Sequence, residues 1–223
     1  MGRMVVVEGL DGAGKRTLTD TLAGALAERG AATARFAFPR YAVDVHAELV
    51  ADALHGHLGD LGDSVHGMAV LFALDRRAAA DDLRAAYASA DVVLVDRYVA
   101  SNAAYGAARL YQDGAGEFVG WVRELELARF GLPVPDLQLL LRVPREVAAA
   151  RAAGRERDDA TRTRDTFESD DGLQARCGAV YDQLAEQGWL SPWRVLDGAG
   201  RVAVEELTED LVTELLEESV TDG

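Results

Sequence analysis

The chain has 223 residues, 49% of them apolar, and carries 38 acids against 23 Lys and Arg for a net charge of −15. That length suits one domain with a sizeable core, and no run of about 20 apolar residues is present to span a membrane. The charge argues against a broad nucleic-acid or membrane-surface contact, and a lone cysteine, Cys177, excludes an internal disulfide framework and suits a reducing cytoplasm.

The opening MGRMVVVEG reads as a strand without a signal peptide. Its apolar run, 4–8, ends in a glycine-rich loop, as expected of a buried parallel strand. Leu18, Leu22, Ala25 and Leu26 then recur at helical spacing, and Gly30 ends that helix. ATARFAF reads as a second strand, stopped by Pro39. Helices are expected over 44–57 and, with Val65, Met68, Ala69, Leu71 and Phe72 on the apolar side, over 64–89. DVVLVD, 91–96, is a third strand; helices over 101–111 and 116–130, the turn GLPVPD and a fourth strand over 137–143 follow. Pro144 suits the first turn of a helix, which runs into RAAGRERDDATRTRD. A helix over 168–187 holds Cys177, which reads as buried filler rather than a nucleophile. A fifth strand, WRVLD, precedes a last helix over 202–218 with Val204, Leu207, Leu211, Leu215 and Leu216 on one face. From Arg201 onward there are eight acids and one arginine, read as the solvated face of a helix packed on the sheet rather than as an interaction tail.

Strands alternating with helices, most strands apolar throughout, imply a parallel sheet covered on both faces. The expectation is an α/β, P-loop NTPase-type three-layer fold: one domain, 1–223, with a five-stranded parallel sheet and helices on both faces. The four histidines, His46, His55, His57 and His66, show no Cys or carboxylate partner at ligand spacing, so no structural zinc is expected.

The stretch EGLDGAGKRT meets the phosphate-loop pattern G-x-x-x-x-G-K-S/T through Gly9, Gly14 and Lys15 but puts Arg16 where the metal-touching hydroxyl belongs. Backbone N–H groups from Gly9 through Gly12, Ala13 and Gly14 to Thr17 would surround phosphate oxygens, with Lys15 as a point charge. Lys15 is the only lysine and Asn102 the only asparagine, in a chain without isoleucine. Under such compositional bias, a surviving Lys or Asn points to a chemical task. Asp96, at the end of a buried strand, either stands near phosphates and Mg²⁺ or caps the next turn, while the fork of Arg97 suits phosphate. Five arginines over 151–164 read either as a flap closing over transferring phosphates or as a solvated helix face with internal ion pairs. Phe72 and Arg76, four apart, share a helix face; they can stack on and donate to a base, or serve as core packing and a surface ion pair.

GLDGAGKRT, FPRY, LFALDR, DRYVASNAAY, GLPVPD and the arginine-rich segment together resemble thymidylate kinases in order and spacing, over about 8–193. DRY followed by SNAAY is the most discriminating string, and the likeness is greatest to actinobacterial members. The resemblance implies ATP- and Mg²⁺-dependent phosphorylation of dTMP, a cytoplasmic homodimer, and no nucleic-acid or membrane partner. It implies a thymine stacked on Phe72, with Arg76 and Asn102 at its edge, Tyr105 crowding the 2′ position and Asp11 near the 3′-hydroxyl. Around the acceptor phosphate it implies Arg97, Tyr41 and Arg40. Phe38, Pro39 (after a cis bond), Ser101, Asp165 and Phe167 complete the dTMP site. Phe167 replaces a tyrosine common in close relatives. Members differ in whether the catalytic arginine sits in the P-loop or on the flap; Arg16 takes the first option, with Arg155 and Arg162 of the flap (151–165) in support. Thr17 lies about 100° around the helix from Arg16, so it does not replace the missing ligand, and Mg²⁺ is assigned to Asp11, Asp165 and Glu168. Alternatives are a P-loop kinase for another nucleotide or a deoxynucleoside, and a non-catalytic nucleotide switch.

Overall fold

A computed structural model describes residues 2–144, 147, 167, 170–200 and 202–221. The flap, the helix expected from Pro144, and the site residues Arg155, Arg162, Asp165 and Glu168 lie outside these described residues or almost wholly so. So do the side chains of Leu215 and Leu216.

Five strands, β1 (Arg3–Glu8), β2 (Thr33–Ala37), β3 (Val92–Asp96), β4 (Leu137–Arg142) and β5 (Trp193–Asp197), form one parallel sheet in the order β2-β3-β1-β4-β5. β1 is central, so it must be apolar on both faces, and its Met4, Val5, Val6 and Val7 are all buried. Alternation sends Met4 and Val6 to one face and Val5 and Val7 to the other. The first face is covered by α3 (Val65–Ala78), α4 (Ala80–Ser89), α5 (Val99–Arg109), α6 (Glu117–Arg123) and α7 (Asp171–Glu186). The second is covered by α1 (Lys15–Glu28) and α8 (Val204–Thr221). α2 (Val45–Leu54) packs on α3 through Val50, Ala53, Leu54 and Met68. This is the expected three-layer arrangement.

The last helix packs on the sheet as expected: Leu207 and Leu211 are buried, and three of its acids are tied to basic side chains of other elements. Arg3 reaches Glu214 at 2.5 Å, Arg194 reaches Asp210 at 2.8 Å and Arg29 reaches Glu209 at 3.5 Å. No helix among the described residues is long and apolar enough to cross a membrane.

Three expected helices differ in detail. The helix over 64–89 breaks at Ala79, whose N–H is shared between the carbonyls of Asp75 and Arg76. Arg40 Nη2 donates to the same Asp75 carbonyl at 2.8 Å, drawing it out of the helical ladder. The helix expected from 101 begins at Val99 because Glu8, at the end of β1, caps it from outside: Oε1 accepts from the N–H of Tyr98 at 2.8 Å and of Ser101 at 3.2 Å. The helix over 116–130 changes from α to π winding over Glu124–Arg129.

Candidate active site

β1 delivers the chain into the loop before α1, at the carboxyl edge of the sheet, where open α/β sheets place their sites. Gly9 has φ 142°, and a Cβ there would meet the Leu141 carbonyl at 2.7 Å, so the loop can approach β4 only with glycine. Gly14, at φ 99°, is the N-cap of α1; no side chain caps that end and no acid stands in its first turn. In a chain of 38 acids, this bare helix N-terminus is a fitting receptor for anionic oxygen. Lys15 is buried, with Nζ donating to the carbonyls of Gly9 at 3.0 Å and Leu10 at 2.8 Å. Burial pushes its ammonium down to about 8, aided by the Arg97 charge and opposed by Asp11, Asp96 and Glu8.

Two clefts meet at this loop. The outer one is a broad groove bounded by Gly12, Ala13, Gly14, Thr17 and α1 on one side and by Gly198, Gly200 and the stretch from Val202 to Glu206 on the other. The inner one is lined by Asp11, Phe38, Pro39, Tyr41, Leu54, Phe72, Arg76, Arg97, Ser101, Asn102, Tyr105 and Phe167. All of these but Leu54 are residues singled out from sequence. Phe72 and Arg76 both face this cleft, as their spacing on α3 requires. The Phe38–Pro39 bond is cis.

Asp11 carries the loop into the inner cleft. Its Oδ1 is paired with Arg97; its Oδ2 accepts from Tyr105 at 2.5 Å and from Gln174 at 3.3 Å. Burial alone would raise its carboxyl, but the charges of Arg97 and Lys15 and these hydrogen bonds outweigh it and hold it down to about 2. Arg97 also donates to Ser101 Oγ at 3.3 Å and lies 5.5 Å from the Tyr105 ring centre. Its φ of 64°, uncommon for arginine, aims the guanidinium back over the P-loop. Tyr105 in turn stacks with Phe167, ring centres 6.2 Å apart, and Arg109 lies 4.7 Å from the centre of the Phe167 ring.

Two predicted residues stand apart from this assembly. Arg40 is committed to Asp75 through Nε at 2.7 Å and to Asp44 through Nη2 at 3.1 Å, and it does not line the cleft. Arg16 projects from the first turn of α1 with 76% of its side chain exposed, its Nε 3.9 Å from Asp20, and lines neither cleft.

Among the described residues no cluster of His, Cys, Asp and Glu is arranged to hold a metal. Yet Asp96 Oδ1 is the one buried side-chain polar atom among them without a hydrogen-bond partner. It ends β3 opposite Val7 and acts on the Lys15 charge, so it fits a hydrated divalent cation carried with phosphates. Both Asp11 oxygens, by contrast, are already occupied.

Glu8, Asp75 and Glu126 were not singled out from sequence, although each is buried and holds site residues in place. Glu8 accepts from Ser101 Oγ at 2.6 Å and Tyr181 Oη at 2.9 Å besides capping α5. Glu126 accepts from Arg76 and Asn102. A signal existed. Phe118, Val122 and Leu125 recur at i, i+4 and i+7, and Glu126 occupies i+8, the next place on that apolar stripe. Asp75 stands at i+7 from Met68 in the same way, and an acid in such a position needs a buried partner.

Known proteins have sequences similar to this one. The family model described as Thymidylate kinase matches residues 7–191. A thymidylate kinase of Mycobacterium tuberculosis (strain ATCC 25618 / H37Rv) is 51% identical over 193 residues, covering 86% of this chain and 90% of that protein. One from Leifsonia xyli subsp. xyli is 36% identical over 215 residues, 94% of this chain and 92% of that one. One from Xanthomonas campestris pv. campestris (strain B100) is 35% identical over 189 residues, 84% and 74% of the two chains.

Proposed function

The chain belongs to the thymidylate kinase family, and from that premise we propose that it transfers the γ-phosphoryl group of ATP to dTMP, giving ADP and dTDP for dTTP synthesis. The observation that carries this reading is the second cleft. A nucleotide switch needs only a phosphate loop, whereas here Asp11 of that loop also lines a pocket with an aromatic face, Phe72, and the polar groups of Arg76, Asn102 and Arg97.

The outer groove takes ATP, with its phosphates on the bare N-terminus of α1 and beside Lys15. The inner cleft takes dTMP, its base on Phe72, its sugar against Tyr105 and its phosphate toward Arg97. An oxygen of the acceptor phosphate then attacks the γ-phosphorus in line as the bond to ADP breaks. The protein contributes alignment and positive charge rather than a covalent intermediate. Lys15 and Arg97 are held in place before substrate arrives, so their charges need no reorganisation. Arg16 is the mobile cation in this scheme, swinging from Asp20 to the transferring group. Mg²⁺, where bound beside Asp96 with the ATP oxygens, supplies neutralisation of β- and γ-phosphate charge. In the cell the protein is read as a cytoplasmic homodimer, which sedimentation of the purified chain tests.

ADP release from ATP and Mg²⁺ tests the proposal, measured alone and with dTMP, AMP or thymidine. Release that depends on dTMP is the expected result. Release independent of any acceptor would establish the switch instead, and equal rates with AMP would remove the thymine pocket.

A further inference from the structure

The inner cleft ends on two side chains that a third, hidden one holds. Glu126 is fully buried and does not itself line the cleft. It sits in the π-helical turn Glu124–Arg129, a winding often found at functional sites. Its Oε2 accepts from Arg76 Nε at 2.5 Å, and its Oε1 accepts from Arg76 Nη2 at 2.7 Å and from Asn102 Nδ2 at 2.8 Å. The second proton of Asn102 Nδ2 goes to the Ala69 carbonyl at 3.0 Å.

A count of donors gives the consequence. An asparagine amide has two N–H protons and one carbonyl oxygen. Both protons of Asn102 are spent on acceptors, so the amide cannot turn over without setting its oxygen against a carboxylate and a carbonyl. Asn102 therefore presents Oδ1, an acceptor, to the cleft. Arg76 has five N–H protons, of which Glu126 takes two. Its remaining protons point elsewhere, and none can accept. At this end the cleft thus offers one acceptor, Asn102 Oδ1, beside one donor group, the Arg76 guanidinium. Thymine and uracil carry the complement, an N3–H donor next to a C4 carbonyl. Cytosine carries the reverse, an N3 acceptor next to a C4 amine.

We propose that Glu126 is a positioning residue that sets this polarity, locking Asn102 as acceptor and Arg76 as donor and thereby selecting thymine-type over cytosine-type monophosphates. The inference rests on the reading of the inner cleft as the dTMP site. Burial lowers the Arg76 guanidinium's proton affinity and Glu126 more than restores it, so the donor half is permanently charged.

Glu126→Gln tests it, because the shape is kept while one acceptor oxygen becomes a donor. One amide oxygen cannot serve all three donors: placed at Oε1 it leaves the amine against Arg76 Nε, and placed at Oε2 it leaves the amine against both Arg76 Nη2 and Asn102 Nδ2. Either way the hydrogen-bonded Arg76–Glu126–Asn102 set is broken and the polarity of the pair is no longer fixed. The wild type is measured first with ATP and dTMP; no turnover there defeats the functional reading, not this inference. Given turnover, kcat/KM for dTMP relative to dCMP should fall by about 10-fold or more in the variant, mostly through KM for dTMP. A merely structural Glu126 would lower both substrates alike, so an unchanged ratio in folded protein overturns the proposal.

A second measurement needs no variant. Asn102 is the only asparagine, so asparagine-selective ¹⁵N labelling gives a single side-chain NH₂ pair. With dTMP bound, both of its protons should stay protected from exchange, with contacts to Ala69 and none to the base. Contacts from that NH₂ to the base, or free-amide exchange, overturn the proposal.

Discussion

Replacing Asp11 by asparagine removes the carboxylate that lines the inner cleft while keeping the side chain's shape. At about 1.4 kcal/mol per pH unit, a carboxyl lowered from 3.8 to about 2 contributes about 2.5 kcal/mol to folding near neutral pH. The side chain is only 21% exposed, so solvent screening trims this little. The loss is at least that large, because Arg97, 16% exposed, is left without its counter-charge. In a chain of this size, roughly 2–4 °C per kcal/mol makes the drop in Tm about 5–10 °C. The pH dependence has a definite sign. A lowered carboxyl stabilises fully above its unfolded value of 3.8, and that contribution is lost as pH falls through about 2. Urea unfolding of both proteins from near neutrality into acid should therefore show a gap that is flat above about pH 5 and narrows toward pH 2–3. A gap below about 0.5 kcal/mol at neutral pH, or one that widens on acidification, refutes the pairing as a source of stability.

Arg16→Met should lower kcat by roughly 10³-fold or more, the scale of a lost arginine finger. Tm should be nearly unchanged, since 76% of that side chain is exposed. An unchanged kcat with a raised KM for ATP makes Arg16 a ground-state clamp instead. Lys15→Met should abolish turnover. Because burial holds the Lys15 ammonium at about 8, the folded free wild type binds fewer protons than the unfolded chain between there and 10.5. Its stability relative to Lys15→Met should therefore rise over that window, which thermal melts at several pH values check. Tyr105→Ala should narrow the ratio of kcat/KM between dTMP and its ribose counterpart; an unchanged ratio removes Tyr105 as the sugar reader.

What was legible in the sequence was whatever repeats locally. β5 is read to its ends because WRVLD is bounded by turn residues, and β1 to its carboxyl end because MVVVE runs apolar into glycine. The P-loop, the shared face of Phe72 and Arg76, and the string from Arg97 to Tyr105 are likewise short-range patterns. What was hidden depends on partners far along the chain. The break at Ala79 needs Arg40, 35 residues before Asp75. The early start of α5 needs Glu8, 90 residues before Tyr98. The commitment of Arg76 needs Glu126, 50 residues on. Arg40 shows the same limit from the other side: FPRY marks it as a phosphate group's neighbour, and only the fold reveals that Asp75 and Asp44 already hold it.

These hidden partners share a chemistry that explains why an anion-binding site is built on acids. Arg97, Arg40 and Arg76 each meet a carboxylate from a different element: Asp11, Asp75 and Glu126. An arginine buried without a counter-charge would destabilise the fold by several kcal/mol. A paired one is stable but not exhausted, because the guanidinium has five N–H protons and a carboxylate takes two or three. In Arg97 the bonds to Asp11 and Ser101 leave further protons for a phosphate, while the strained backbone at φ 64° keeps the group over the P-loop. In Arg40 the acids and the Asp75 carbonyl leave little, which turns it into a brace between the FPRY turn and α3. The number of protons left after pairing thus separates the arginines that can bind substrate from those that hold the wall. By that count Arg97 and Arg76 are the cleft's working cations. Arg16, with one weak contact to Asp20, is free to move.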